Sequence, residues 1–127
     1  MSTKLKYISL CENHLFTKAY ANGKKVRQGR MTLYVLTDRH AALLKKQNPL
    51  KEKLNRVGYA VPKKGLGAVG RNRIKRILRH AYARLEREYT VKKGKIIVLA
   101  AGQTALDLKT QDIYRDLVIA AKRAELI

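Results

Sequence analysis

The sequence predicts an α+β fold in a single domain over residues 1–127, with a sheet flanked by helices. Three observations favour this class. Apolar residues make up 46% of the chain, which is enough for a packed core. Helical and strand periodicities follow one another in the order α-β-β-α-β-α. The links between these segments contain glycine and proline, and no repeat or change of composition divides the chain.

Three segments have the apolar periodicity of helices. A first helix is predicted over about 13–22, with Gly23 ending it. The longest helix is predicted over about 71–88, because apolar residues recur there at helical spacing and form one stripe. A last helix is predicted over about 111–125, with Thr110 as its N-cap. The stripe of the longest helix consists of Ile74, Ile77, Leu78, Ala81, Tyr82 and Leu85.

Three shorter segments are predicted to be strands, namely 30–37, 56–61 and 95–100. The first alternates in polarity, so Tyr34 should face away from Met31, Leu33 and Val35. The second ends at a proline, which limits its pairing. The third is a continuous apolar run that suits a buried strand.

The positive charge of the chain is its most unusual property. Lys and Arg total 29 against 9 Asp and Glu, giving a formal net charge of +20. Nucleic acid is the commonest partner for such a chain, and an anionic membrane surface is the second. No segment approaches the roughly 18 consecutive apolar residues of a membrane span, and Cys11 is the only cysteine. We therefore expect a cytoplasmic, monomeric protein that binds nucleic acid, not a membrane.

The longest predicted helix presents a basic face. A rotation of about 100° per residue places Asn72, Lys75, Arg76 and Arg79 opposite the apolar stripe, with Arg73 beside them. Arginine can bond phosphate through two N–H groups, and asparagine adds a directional contact. The alternative is a solvated charged face balanced by carboxylates. Acidic residues are absent from most of the helix, which favours phosphate binding.

Three aromatic residues are candidates for stacking on unpaired bases. Phe16 and Tyr20 are four residues apart on the first helix, and Tyr34 faces away from the main core. Together, amid lysine and arginine, they could form a groove for a single strand. The alternative is that the Phe16–Tyr20 pair packs in the core.

Two connecting segments carry further basic residues. The turn over 63–70 contains three glycines and could expose backbone N–H groups to an anion at the start of the longest helix. Lys63 and Lys64 open this turn, either as phosphate contacts or as solvated loop lysines. The connection 38–55 is the longest, and a short helix over 41–46 could form in it.

The residue types needed for protein-based catalysis are poorly represented. His14, His40 and His80 are far apart and have no metal-ligand spacing. No paired carboxylates suggest a two-metal nuclease site. We therefore expect no catalytic residue and no metal site on the protein.

Two blocks of the sequence, 56–64 and 67–79, resemble the signature of the bacterial ribonuclease P protein subunit. The Arg71-Asn72-Arg73 block at this spacing, together with the upstream Phe16 and Tyr20, makes the resemblance specific. The chain also resembles the N-terminal pattern of that family, through Asn13, Phe16, Tyr20, Gly23, Arg30, Leu33 and Tyr34. The likeness extends over nearly the whole chain in the right order.

The resemblance implies a fold similar to domain 2 of ribosomal protein S5, with a left-handed β-α-β crossover. It implies the protein subunit of a ribonucleoprotein endonuclease that removes the 5′ leader from precursor tRNA. In that family the RNA subunit performs the hydrolysis with magnesium ions, which are held mainly by RNA. The expected partners are therefore the ribonuclease P RNA, with one protein per RNA, and precursor tRNA.

The resemblance also assigns roles by position. The residues that would face the catalytic RNA are Arg71, Asn72, Arg73, Lys75, Arg76 and Arg79. Those of the leader cleft would be Phe16, Tyr20, Tyr34 and, at its mouth, Lys64. Additional basic contacts would be Arg30, Arg56 and Lys63. The chain departs from the family pattern at Tyr20, where Phe is common, at Leu66-Gly67, and at 100–102, where a basic stretch is expected. A structural RNA-binding module of the same fold, or a nuclease that acts without RNA, would be the alternatives.

Overall fold

The computed structural model describes residues 7–9, 13–37, 55–62, 67–92, 94–102 and 108–127. These residues build a five-stranded sheet with the strand order β1-β4-β5-β3-β2. The strands are β1 (Tyr7–Ser9), β2 (Lys24–Gln28), β3 (Met31–Thr37), β4 (Asn55–Ala60) and β5 (Lys95–Ala101). The helices are α1 (Asn13–Asn22), α2 (Ala68–Glu88) and α3 (Thr110–Arg123).

The sheet is mixed. Strands β1, β4 and β5 are parallel neighbours, whereas β3 runs antiparallel to both β5 and β2. Because β4 and β5 are adjacent and α2 connects them, they form the expected β-α-β unit. The predicted α+β class is confirmed, and the left-handed sense of the crossover stays a prediction.

The alternation predicted for β3 is confirmed. Met31 and Leu33 are almost completely buried in the main core, which lies between the sheet and helices α2 and α3. Tyr34 points to the other face, where α1 contributes the fully buried Ala19. The sheet therefore has two helices on one face and one short helix on the other. That asymmetry leaves part of the second face uncovered.

Helix α1 has its predicted bounds, whereas α2 and α3 begin earlier than predicted and α3 ends earlier, at Arg123. The apolar stripe of α2 is fully buried as predicted, but the helix begins at Ala68 and not at Arg71. The amide of Arg71 already donates to the carbonyl of Gly67 at 3.0 Å, so the glycine-rich turn is partly helical. Thr110 is the first residue of α3 and not its cap. The amide of Lys109, the residue in the cap position, donates instead to the Asp112 carboxylate at 3.0 Å.

Two strands were missed by the sequence analysis, β1 and β2. In β2 the only apolar residue is Val26, which is buried under the main core, and its neighbours are exposed cations. A single inward-facing residue on an edge strand gives too little alternation to be read as a strand. The β2–β3 hairpin turns at Gly29, whose φ of 59° lies in the left-handed region that glycine adopts readily.

A buried polar residue ties α2 to the sheet. Asn55 is 1% exposed, and its side-chain carbonyl accepts the Lys95 amide at 2.9 Å. Its side-chain amide donates to the Lys92 carbonyl at 2.9 Å and to the Tyr82 hydroxyl oxygen at 3.5 Å. The start of β4 is thereby joined to the start of β5 and to α2. This network fixes how α2 lies on the sheet.

Some predicted features lie outside the described residues. They are Cys11, the possible helix over 41–46, and the two lysines Lys63 and Lys64. Within the described segments, no helix is both long enough and apolar enough to cross a membrane.

Candidate nucleic-acid interface

The outer side of α2 carries an exposed basic ridge, defined here as Asn72, Arg73, Arg76 and Arg79. The buried Ile74, Ile77 and Leu78 lie on the other side of the helix. In the sequence no acidic residue occurs between Arg71 and Glu86, so the first four turns carry only positive or neutral groups. The ridge is therefore strongly electropositive, because no intrahelical carboxylate is available to it.

Arg71 and Lys75 do not belong to this ridge, although the periodicity argument placed Lys75 there. Both residues are only partly exposed and line a groove together with residues of α1, β3 and β4. The Arg71 Nε donates to the Val61 carbonyl at 3.3 Å. Lys75 precedes the buried Tyr82 by seven residues, so the two side chains lie within about 20° of each other around the helix axis. Lys75 therefore stands at the edge of the apolar stripe. One helix thus presents cations on two of its sides.

The groove contains the three predicted aromatic residues and is called the aromatic groove below. Tyr20 and Tyr34 are in edge contact, with ring centroids 4.9 Å apart and an interplanar angle of 71°. The centroids of Phe16 and Tyr20 are 6.4 Å apart. The groove has a volume of about 690 Å³. Its lining consists of Phe16, Thr17, Tyr20, Tyr34, Tyr59, Ala60, Val61, Pro62, Arg71, Lys75 and Ala100.

The core-packing alternative holds in part for these rings. Phe16 is half-buried and, like Tyr34, packs against the small cluster around Ile96 and Val98. Tyr20 is 45% exposed and faces the groove. Partial burial and then the neighbouring Tyr34 raise the pKa of Tyr20, so its phenol is neutral at physiological pH. Phe16 and Tyr34 therefore act as a fixed wall, and Tyr20 offers an open ring face.

Small residues on the sheet give the aromatic groove its depth. Ala60 and Ala100 are paired across β4 and β5, on the face that α1 leaves open. Their methyl groups leave room above the strands that larger side chains would occupy. The departure from the family pattern at 100–102 therefore has a structural role at Ala100. Ala101 points the other way, into the main core, at 6% exposure.

Strand β2 supplies a cation beside the aromatic groove that the sequence did not predict. Lys25 is directly opposite Tyr34 in the hairpin register, and its Nζ lies 6.0 Å from the centre of the Tyr34 ring. This distance is at the outer limit of a cation–π contact. Lys25 could not be predicted as a site residue because strand β2 itself was not predicted.

A second, basic cavity adjoins the aromatic groove. It has a volume of about 470 Å³ and shares Pro62 and Ala100 with the groove. Its cationic residues are Lys25, Arg27 and Arg30. The predicted contact Arg30 therefore lies near the aromatic residues, at the hairpin turn. Arg56, also predicted, is half-buried in β4 beside Ile96 and lines neither cavity.

Other predicted features concern metals and anions. Among the residues that the structure describes, no group of three or more His, Cys, Asp or Glu side chains could hold a metal ion. The first turn of α2 has Gly67 in its cap position, and no side chain of the described residues caps it. Its backbone N–H groups can therefore bond water or an anion. Lys64, predicted at the mouth of the cleft, lies outside the described residues.

Known structures share this architecture. The ribonuclease P protein of Staphylococcus aureus superposes with a TM-score of 0.73 at 26% sequence identity, covering 95% of this chain and 98% of the other. The ribonuclease P protein of Thermotoga maritima superposes with a TM-score of 0.65 at 19% identity, covering 85% of this chain and 89% of the other. At that identity the second likeness concerns the fold alone.

Sequence relatives lead to the same family. The ribonuclease P protein component of Clostridioides difficile is 30% identical over 111 residues, which span 87% of this chain and 86% of that protein. The protein of the same name from Alkaliphilus oremlandii is 30% identical over 118 residues, or 93% and 91% of the two chains. The sequence profile of the family described as Ribonuclease P matches residues 6–125. The chain therefore belongs to the ribonuclease P protein family, as a protein component of this tRNA-processing endoribonuclease.

Proposed function

We propose that this protein binds the ribonuclease P RNA through the basic ridge and the 5′ leader of precursor tRNA through the aromatic groove. The RNA subunit performs the hydrolysis. The observation that carries the proposal is the division of α2. Its outer side presents Arg76 and Arg79, whereas Arg71 and Lys75 reach the groove. One helix can thus contact two RNAs at once and reduce the repulsion between them.

The chemistry of the ridge supports contact with a structured RNA backbone. Arg73, Arg76 and Arg79 are exposed guanidinium groups, which can bond phosphate oxygens in bidentate fashion. Asn72 can donate and accept hydrogen bonds beside them. The buried stripe and the Asn55 network hold the helix rigidly, so the ridge is pre-organised. Pre-organisation lowers the entropic cost of binding.

The chemistry of the aromatic groove supports a single strand. An unpaired base can stack on the open face of Tyr20, and stacking tolerates any base. Lys25, Arg71 and Lys75 stand around the rings, where they can neutralise the phosphates between bases. We assign Lys64 to the mouth of this groove and Arg30 to the adjoining basic cavity, with Arg56 and Lys63 as further basic contacts. A leader of varied sequence fits these properties better than a duplex does.

Magnesium belongs to the RNA in this proposal. Among the residues that the structure describes, no carboxylate lines the aromatic groove or the basic cavity, and carboxylate oxygens are the protein ligands that magnesium prefers. The protein instead binds, screens charge and positions the leader. We propose one protein monomer for each RNA subunit, acting in the cytoplasm.

Two sets of variants test the division of labour. Arg76→Ala and Arg79→Ala should weaken binding of the protein to the RNA subunit, measured by filter binding. Phe16→Ala should mainly reduce the preference of the holoenzyme for precursor over mature tRNA. Phe16 is half-buried, so unfolding curves of this variant must show that it is folded at the assay temperature. An equal loss of affinity for both tRNAs in folded Phe16→Ala would contradict the groove assignment.

A further inference from the structure

A separate groove lies between α2 and α3. It has a volume of about 480 Å³, and none of its lining residues belongs to the aromatic groove. Tyr89 and Ile119 are its exposed apolar residues, at 37% and 40% exposure. The lining consists of Arg84, Tyr89, Gln111, Tyr114, Arg115, Val118 and Ile119.

One wall of this groove is a fixed hydrogen-bonded cluster. The Tyr114 hydroxyl donates to Glu88, and the Arg84 Nε lies 3.0 Å from the other Glu88 carboxylate oxygen. The guanidinium carbon of Arg84 lies 4.2 Å from the centre of the Tyr114 ring. These bonds from Tyr114 and then Arg84 lower the pKa of Glu88, so the carboxylate is ionised at neutral pH. Glu88 thus offsets the charge of Arg84 directly and, more weakly, that of Arg87.

The rim of the groove is basic. Arg87, Arg115 and Lys122 are exposed, and the Lys122 Nζ lies 5.8 Å from the centre of the Tyr89 ring. Lys122 thus stands beside an accessible aromatic ring, and Arg115 lines the same groove. An aromatic face bordered by cations suits a base together with its flanking phosphates.

The groove also continues the side of α2 that bears the ridge. From Arg73 to His80 is seven residues, and from His80 to Arg84 is four, so the three side chains lie on one side of the helix. All three lie at the surface, and Arg87 extends the row by one further turn. A polyanion bound along the ridge would therefore reach the α2–α3 groove without leaving positively charged surface.

We infer that the α2–α3 groove binds a second segment of the ribonuclease P RNA, distinct from the segment on the ridge. Phosphates bond Arg115, Lys122 and Arg87, and an unpaired base packs against Tyr89 and Ile119. This inference rests on the proposed function, in which RNA occupies the ridge. Continuity with the ridge favours RNA over an acidic polypeptide as the occupant.

A charge-removal experiment tests the inference in the full-length protein. Arg115→Ala/Lys122→Ala removes two rim cations, and Lys18→Ala/Lys24→Ala removes two exposed lysines outside the groove as a matched control. Binding to the RNA subunit is measured as a function of salt concentration. The groove variant should bind more weakly, and its log–log salt slope should be shallower by about 1.4–1.8, the value for two lost phosphate contacts. The control should keep the wild-type slope.

A cross-linking experiment locates the RNA. Ile119→Cys, made in a Cys11→Ser background, carries a photoactivated cross-linker into the groove. Cross-links confined to one region of the RNA subunit support the inference, whereas their absence at saturating RNA overturns it. The inference is also overturned if the groove variant and the control have the same salt slope. It is overturned as well if the groove variant loses binding to a poly-glutamate peptide while its binding to RNA is unchanged. If Arg76→Ala and Arg79→Ala still weaken RNA binding in those cases, the proposed function survives. If they also have no effect, the proposed function fails as well.

Discussion

Replacing Tyr20 by alanine removes the ring that is most accessible to a leader base. Tyr20 is 45% exposed, so the change deletes little core packing, and its edge contact with Tyr34 at 4.9 Å is the main intramolecular loss. Loss of one base–aromatic stack costs about 1–3 kcal/mol. At 25 °C this corresponds to a roughly 5- to 150-fold weaker complex. Only the RNA that carries a leader should be affected.

The assay compares two dissociation constants of the reconstituted holoenzyme, one for precursor tRNA and one for the matching mature tRNA. Tyr20→Ala should raise the first within that range and leave the second unchanged. Tyr20→Phe is the matched control, because it keeps the ring and loses only a hydroxyl that is neutral at this pH. Near wild-type binding by Tyr20→Phe is expected. Unchanged precursor binding in Tyr20→Ala would refute the view that this ring stacks on the leader.

Three further predictions concern the scaffold. Asn55→Leu should lower the free energy of unfolding by about 2–4 kcal/mol in urea titrations, because it removes a hydrogen-bond partner from two partly buried backbone groups, the Lys95 N–H and the Lys92 carbonyl. A loss below 1 kcal/mol would contradict this role. Gly29→Ala should destabilise by about 1–2 kcal/mol, because φ is 59° and a β-carbon would collide with the Asp116 carboxylate. Gly102→Ala, where a β-carbon meets nothing within 4 Å, is its control and should be neutral. Burial, and after it the hydrogen bond to a carboxylate, raises the pKa of Tyr82 above 10. The contribution of Tyr82 to the stability of the fold is therefore complete below pH 10 and is lost as the pH rises further. Tyr82→Phe should therefore flatten the decline of stability above pH 10, and an unchanged slope would show that another group is responsible.

The elements with a continuous apolar pattern could be predicted from the sequence. Helix α2 shows this best, since its stripe from Ile74 to Leu85 is buried as periodicity predicts. Strand β3 could be predicted for the same reason. Strand β2 could not be predicted, because Val26 alone marks its buried side and pairing with β3 supplies the rest of its stability. A polar segment that becomes a strand only by pairing with residues distant in the chain shows no strand pattern in its own sequence.

The candidate site was predictable in its residue types but not in their grouping. Phe16, Tyr20 and Tyr34 come together as expected. Lys75 was placed on the ridge by rotation alone, yet it lies at the boundary of the apolar stripe and lines the groove. Lys25 reaches Tyr34 only because two strands pair in one register. Such assignments depend on how the helix sits on the sheet, which Asn55 helps to fix from within the core.

Reconstitution of leader cleavage tests the central claim most directly. The protein is added to the cognate ribonuclease P RNA at a magnesium concentration too low for the RNA to act alone, and removal of the 5′ leader from precursor tRNA is followed. We expect cleavage with both components, and none with the protein alone at any magnesium concentration. Cleavage by the protein alone would reveal a nuclease independent of RNA. No stimulation of the RNA would indicate a structural RNA-binding module, and either result would contradict the proposed function.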